Sequence, residues 1–214
     1  MKGGPCHEDC RRSGTWWLLL LLLAVFVHVG RAAVIDVYTD GVIDSEWMDW
    51  SFGYTEKNGA VAYKNGDDQV VQEYCIGLEQ YGALSIASIM GSIPINGSEI
   101  DIKIRVNESS LVDVGDLVGN VQIMVEYAEN STEPVALREL LVSGPESEES
   151  DDRMQRLVDG KYVNVRIDVQ ELPGSEEMDS FNQVTLGACM RDADEGCLPV
   201  SSICTSSFTI STQN

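Results

Sequence analysis

Three stretches of this chain alternate apolar and polar residues with a period of two, and that pattern limits what it can fold into. Ile100, Ile102, Ile104 and Val106 alternate with Asp101, Lys103 and Arg105. Val121, Ile123, Val125 and Tyr127 alternate with Gln122, Met124 and Glu126. Val163, Val165, Ile167 and Val169 face away from Tyr162, Asn164, Arg166 and Asp168. Successive side chains of a strand point to opposite sides, so each stretch reads as a strand with one buried and one solvated face. Antiparallel sheets carry this alternation, whereas buried parallel strands read as continuous apolar runs.

The stretch from Val34 to Tyr54 extends the pattern. Asp40-Gly41 is a turn signal between the strand-like Val34–Thr39 and a second strand. In that second strand Met48, Trp50, Phe52 and Tyr54 alternate with Trp47, Asp49, Ser51 and Gly53. The four apolar residues are expected on the core face, which puts Trp47 on the outward one. Asn58-Gly59 and Asn65-Gly66 bracket Ala60–Lys64 in a hairpin pattern. Strand-like runs recur at Asp68–Ile76, Ala83–Met90, Phe181–Ala188 and Ser207–Ser211, with a loop from Gly91 to Gly97. Pro134–Val142 fits either a strand or a short helical turn. Ser143–Asp152 (SGPESEESDD) has almost nothing to bury and reads as an acidic surface loop. About ten short strands without a long helix make an all-β sandwich.

The first 32 residues read differently. Arg11 and Arg12 precede the fourteen-residue apolar run Trp16–Val29, and Gly30-Arg31-Ala32 offers small residues for cleavage. The pattern is that of a signal peptide over residues 1–32, too short in its apolar run for a membrane span of about 20 residues. Residues 33–214 then form a single domain, expected to be secreted and free of the membrane after cleavage. Both histidines, His7 and His28, lie in the leader. A mature chain without histidine has no route to a Ser-His-Asp or Cys-His site, nor to a histidine-ligated metal.

The formal net charge of −21 becomes −23 once the leader is removed, with 10 basic against 33 acidic residues. That field repels nucleic acid and anionic lipid. Four cysteines remain, Cys75, Cys189, Cys197 and Cys204, an even number that suits two disulfides in any of three connectivities. The sequons at Asn96, Asn107 and Asn130 are glycosylation candidates at predicted loops or strand ends.

The order VYTDGVIDSEWMDWSFG, YGALSIAS, GKYVNVRIDVQEL, FNQVTLGAC and SFTIS resembles the galactose-binding-like jelly rolls that serve as extracellular carbohydrate-binding modules. The similarity spans nearly all of Val34–Ile210. It implies a jelly-roll β-sandwich and a polysaccharide or glycoprotein glycan as partner. Such modules often place an acidic residue in the final strand, where Phe208-Thr209-Ile210 has none. That leaves Asp36 and Asp40 as the carboxylates for a structural calcium, and no metal or other cofactor is assigned.

Sugar recognition needs aromatic rings for the apolar faces of pyranoses, and amides, carboxylates or guanidinium groups for paired hydroxyls. Alternation projects Tyr162, Asn164 and Arg166 from one strand, Gln122 and Glu126 from another, and Trp47 from a third. These six are the candidate ligand-binding residues, provided their strands share a sheet. The function expected is that of a secreted, non-catalytic carbohydrate-binding protein. The alternative is an acidic matrix or cell-surface glycoprotein without a dedicated sugar site. A chain with 33 acidic residues places carboxylates side by side by chance, so no glycosidase pair is assigned.

Overall fold

The computed structural model describes residues 33–64, 70–107, 121–143, 150–188 and 202–213. The leader of residues 1–32, Cys189, Cys197 and residues 144–149 of the acidic stretch lie outside the described residues. In chain order the elements are β1 (Ala33–Thr39), β2 (Val42–Ile43), β3 (Trp47–Asp49), β4 (Phe52–Lys64), β5 (Val70–Ser88), β6 (Ile93–Pro94) and β7 (Ser98–Asn107). There follow β8 (Val121–Tyr127), β9 (Asn130–Ser131), β10 (Val135–Ala136), α1 (Leu137–Ser143) and α2 (Ser150–Val158). The last are β11 (Val163–Asp168), β12 (Ser180–Phe181), β13 (Gln183–Ala188) and β14 (Ser202–Thr212).

Every strand pairing is antiparallel, and the strands make two layers. The back layer runs β11-β7-β14-β1-β2, with the first and last strands paired from Ala33↔Thr212 to Thr39↔Ser207. The front layer runs β10-β8-β13-β5, with β3 and the start of β4 on the far side of β5. The long strand β5 belongs to both layers. Its early part pairs Tyr74–Ile76 with β14, and its late part pairs Ala83–Ala87 with β13. Between the layers lies one core, with Val121, Ile123, Val125, Leu84, Ile86, Val184 and Leu186 from the front. Ile100, Ile102, Ile104, Val163, Val165, Ile167, Phe208 and Ile210 meet them from the back. The alternation that marked β7, β8 and β11 in the sequence is the alternation of their burial.

The Asp40-Gly41 turn forms as its residues dictate. Thr39 pairs with Val42, and both turn residues have positive φ (49° and 88°), the two-residue hairpin whose twist matches the flanking strands. Asn58-Gly59 does not make a second turn. The strand runs through it with a register shift between Asn58 and Val61, and pairs onward to Lys64↔Val70. Two short helices join the strands, the first where Pro134–Val142 fitted either a strand or a helical turn, the second taking in the last three residues of the stretch read as an acidic loop. Leu137–Ser143 and Ser150–Val158 are helical, and Leu137, Leu141 and Leu157 reach the core. A helix of nine residues with a single core leucine is too weak a periodic signal to read beside the acidic and hydroxyl residues of Ser143–Asp152.

Where β5 leaves the back layer, a polar cluster is buried on the outer side of that layer. Cys75 and Cys204 are register partners and form a disulfide that closes a separation of 129 residues. Beside it, Arg105 Nε donates to Glu73 Oε2 at 2.8 Å and Arg105 Nη2 donates to Glu73 Oε1 at 2.5 Å. Tyr162 donates its hydroxyl to the same carboxylate, and all three side chains are buried. Burial works against the Arg105 charge, but the hydrogen bonds and charge of Glu73 outweigh it and hold the guanidinium above its ordinary value. Removing one partner of such a pair leaves an uncompensated buried charge. Glu73→Gln is therefore expected to cost about 3–5 kcal/mol in denaturant unfolding. A loss of under about 1 kcal/mol, the size of an exposed pair, would show that water reaches the cluster.

Three buried phenols give the fold an alkaline limit. Burial, then the hydrogen bond to Glu73, raises the Tyr162 phenol; burial, then the hydrogen bond to Asp49, raises that of Tyr74. Burial, with the charge of Glu73 behind it, pushes Tyr38 up to about 12. The unfolded chain releases these protons near pH 10, whereas the folded chain keeps them. Stability is therefore whole below about pH 10 and falls as pH climbs above it. Ultraviolet titration should show these three tyrosines ionising together with unfolding, and their ionisation in a still-folded protein at about pH 10 would contradict the assignment.

Candidate functional site

The outer side of the front layer is built from three rows that cross four strands. Met48 on β3 opposes Ala87 on β5, which opposes Gln183 on β13, which opposes Glu126 on β8. In the next row Trp50, whose N–H donates to the Ser85 carbonyl at 2.8 Å, leads through Ser85 and Thr185 to Met124. The third row is Phe52, Ala83, Gly187 and Gln122. Opposed residues of an antiparallel ladder point to the same side, so all twelve share one face. At about 4.8 Å per strand and about 7 Å per alternate residue, the four strands and three rows cover a patch about 14 Å on each side.

The residues of this face grade from large to small to polar. Along one edge Met48 is 47 % exposed, Trp50 60 % and Phe52 52 %; a register shift follows Phe52, and Tyr54 beyond it is 41 % exposed. In the middle Ala83, Ser85, Ala87, Thr185 and Gly187 are small and buried. On the far side Gln122, Met124 and Glu126 are half-buried. The outcome is a shallow trough with an apolar, largely aromatic wall and a polar opposite bank.

The polar bank is held in place by its own hydrogen bonds. The Gln183 amide donates to Ser85 Oγ at 2.9 Å and to Glu126 Oε2. Ser85 and Thr185 share a hydroxyl contact at 3.0 Å, and Thr185 Oγ1 donates to Glu126 Oε2 at 3.4 Å. Burial pushes the Glu126 carboxyl above its ordinary value, while the bonds from Thr185 and Gln183 pull it down. Ser85 and Thr185 are buried, so the bank offers the half-buried Glu126 carboxylate and the amides of Gln122 and Gln183 to a ligand rich in hydroxyls, and the opposite wall offers ring faces.

Trp47 was expected outward and is buried, 6 % exposed. Apolar count alone favours burying the Met48–Tyr54 set. The register Trp47↔Ser88 and Asp49↔Ile86 overrides it, since Ile86 faces the core and Asp49 must share its side. Asp49 tolerates that side because the Tyr74 hydroxyl and the Ser51 N–H both donate to it. One register choice therefore turns Met48, Trp50 and Phe52 to solvent.

The other expected residues divide between the layers. Gln122 and Glu126 do lie on the trough, on β8. Asn164 and Arg166 are exposed on β11, in the back layer, where Arg166 pairs with Glu99 at 3.1 Å and Asp101 at 3.2 Å. Tyr162 was expected to be exposed with them and is buried, 7 % exposed. Its hydroxyl turns to Glu73, and it lines a pocket with Asp152, Arg153 and Arg156 of α2, whose start was read from sequence as loop. The six expected residues thus do not form one site, because their strands do not share a face. Trp50, Phe52, Met48 and Gln183 were missed. A clue was present in Ala83-Leu84-Ser85-Ile86-Ala87, where the residues alternating with the core pair are all small.

Of the expected glycosylation sites, Asn96 and Asn130 are exposed, and Asn107 is the last residue of β7. Asp36 and Asp40 are both exposed at the surface of β1 and its turn. Among the described residues, the group of carboxylate and sulfur atoms close enough to share an ion is Glu73 with Cys75 and Cys204. The two sulfurs there are spent in the disulfide.

No family model and no curated protein sequence matches the chain. Among solved structures, it is similar to a carbohydrate-binding module of family 29 at 16% identity, over 85% of this chain and 90% of that one, with a TM-score of 0.45. Variants of a family 29 module complexed with cellulohexaose and with mannohexaose align at the same 16% identity and TM-score of 0.45. They cover 85% of this chain, and 92% and 93% of theirs. An alignment this loose leaves the case for a ligand to the face itself.

The inverted parity has a direct test in stability. Trp47→Ala should cost about 3–5 kcal/mol, as a large ring lost from a core does. Trp50→Ala and Phe52→Ala should change stability by no more than about 0.5 kcal/mol each. A reversed order in denaturant unfolding would return the edge strand to the parity expected from sequence.

Proposed function

We propose that this chain is a secreted, non-catalytic carbohydrate-binding protein, a galactose-binding-like jelly roll that takes a cell-wall or extracellular glycan on the outer face of its front layer. One observation carries the reading, the exposed line Met48, Trp50 and Phe52 across from the polar bank of Glu126, Gln183 and Gln122. Exposing one large apolar side chain is ordinary, but a contiguous row of three marks an interaction surface. The partner must match both halves of the trough. A pyranose does so, with C–H faces for the rings and paired hydroxyls for the amides and carboxylate. A purely apolar partner would leave Glu126 and Gln183 desolvated without new hydrogen bonds, a cost that disfavours it.

Secretion and removal of residues 1–32 fit the same role, since the leader pattern, the sequons and the disulfide suit an exported chain. The trough binds without chemistry. Its Glu126 is tied to Gln183 and Thr185 within the face, and the reading needs no general acid, metal or cofactor.

Native affinity electrophoresis against a panel of neutral polysaccharides tests the proposal. At least one should retard the protein, and Trp50→Ala should weaken that binding by about tenfold or more, as central aromatic anchors do. Arg166→Ala should leave it unchanged, since Arg166 lies on the other layer. Retardation by none of the panel, or equal retardation of Trp50→Ala, would overturn the assignment.

A further inference from the structure

The open side of the sandwich carries a groove that shares no residue with the three rows of the trough. β11 is the last strand of the back layer and β10 the last of the front, and among the described residues no further strand pairs beyond either. Between them, bounded by α1 and by the turn Val169–Glu171, lies a cavity of about 550 Å³. Along the first half of β11 a helix covers the edge. Arg153 of α2 donates to the Asn164 carbonyl, and Arg156 donates to the Tyr162 carbonyl at 3.3 Å. Past Asn164 the strand becomes a wall of the cavity, through Arg166, Ile167 and Asp168.

The lining divides into two kinds of side chain. Val135 and Leu140 are half-buried and Ile167 and Leu172 are buried, so the floor is aliphatic. Glu99, Glu139, Asp168 and Glu171 stand around that floor with one guanidinium, that of Arg166, 3.1 Å from Glu99. Four carboxylates against one cation leave the lining three charges negative. The Asp168 carboxylate is held by the turn itself, since it accepts from the Gln170 N–H at 3.0 Å. The lining includes no aromatic ring.

We propose that this groove takes a basic, aliphatic peptide segment of a protein partner, with a lysine or arginine side chain against the carboxylates. The stem of such a side chain lies on apolar surface while its head reaches charge, which is the division this lining presents. Aliphatic neighbours in the same segment cover the floor. The volume is within the roughly 300–1,000 Å³ of sites that enclose a ligand, room for a few side chains. A pyranose fits less well, because its apolar face asks for a ring to stack on and this floor has none. An anionic partner is repelled by the lining and by the net charge of −21 alike. Natural sheets cover an edge strand with a helix or a loop, or leave it to pair with another chain. Here α2 covers the first half of β11 and the partner segment covers the second. The groove stands whether or not the front trough takes a glycan.

The test is NMR titration of the protein at low salt with three acetylated, amidated tetrapeptides, Leu-Lys-Leu-Lys, Ser-Lys-Ser-Lys and Leu-Glu-Leu-Glu. Leu-Lys-Leu-Lys should bind and shift the amides of Leu140, Ile167 and Glu171. Ser-Lys-Ser-Lys has the same charge but no aliphatic side chain to bury, and should bind at least about tenfold more weakly. Leu-Glu-Leu-Glu should not bind. Glu171→Gln should weaken Leu-Lys-Leu-Lys by about threefold, the scale of one exposed ion pair, and Glu171→Lys by about tenfold. Glu171→Asp should retain binding, and the thermal midpoints of all three variants should stay at that of the parent. Asp36→Asn, which removes an exposed charge from β1, should have no effect. Absence of Leu-Lys-Leu-Lys binding, amide shifts that miss the groove, or full binding by Glu171→Lys would overturn the proposal. Equal binding of Ser-Lys-Ser-Lys would also overturn it, reducing the attraction to the general field of an acidic protein. A glucosamine disaccharide binding as tightly as Leu-Lys-Leu-Lys would overturn its peptide part in favour of an amino sugar.

Discussion

The structure depends on one strand being held in two layers. β5 begins beside β14 in the back layer and ends as the floor of the trough in the front layer. A strand that crosses layers can slide, and a slip of one residue would turn Leu84 and Ile86 out of the core and Ala83, Ser85 and Ala87 into it. Its position is fixed at the back end by two bonds of different kinds. The Cys75–Cys204 disulfide ties it to β14, and the Glu73 carboxylate ties it to Arg105 of β7 and to Tyr162 beside β11. A buried ion pair is a weak source of net stability, because desolvation of both charges opposes their attraction. It is a strong source of register, because any other alignment leaves a bare charge in the interior. The disulfide contributes about 2–4 kcal/mol in addition, mainly by restricting the unfolded chain.

That register reaches the candidate site through the ladder. With Ser85 fixed, Trp50 is fixed opposite it, and Met48 and Phe52 two residues to either side. Burying a side chain of this size stabilises a protein by about 1.5–3 kcal/mol, so a strand free to choose would bury Trp50 and Phe52. The edge strand instead spends its inward positions on Trp47 and on Asp49, which needs the Tyr74 hydroxyl to sit there at all. Local preference and the observed state disagree at this strand and agree along β7, β8 and β11. Such a disagreement is where binding surfaces are found in proteins whose remaining sequence is consistent with their fold.

The contrast also explains what was legible in the sequence. The strands β7, β8 and β11 have a core face of Ile and Val against a face of charged or amide residues, so parity and burial coincide. Asp40-Gly41 was legible because only a few residues accept two positive φ angles in succession. The β3–β4 segment has large rings on both parities, and period alone gives no sign to such an alternation; only the pairing with β5 does. Tyr162 shows a different failure. Its outward parity was read well enough, but exposure depends on what packs above a face, and α2 is too short and too polar to announce itself. Arg166 and Asn164 were placed correctly on a surface but grouped with β8, because sequence order says nothing about which layer a strand joins. The candidate site was half legible for the same reason. Gln122 and Glu126 were read from their own strand, whereas Trp50, Phe52 and Gln183 depend on strand order.

Charge divides the two outer faces in a way that apolar packing does not. The trough carries one carboxylate at its polar bank, Glu126, and no lysine or arginine in its three rows. A contact made there would be short-ranged, through ring faces, amides and one carboxylate, and little changed by salt. The back layer is opposite in kind. Its outer side holds Lys103, Arg105, Arg153, Arg156 and Arg166, with Arg105 paired to Glu73 and Arg166 to Glu99 and Asp101. In a molecule of net charge −21, cations gathered on one side leave the other sides still more acidic. An uncharged ligand is indifferent to that field and can approach the front from any direction. An anionic one is turned away from most of the surface and is met by attraction only within reach of the cluster. The two faces thus differ less in shape than in the range of the forces they exert, and a ligand's charge decides which of them it encounters first.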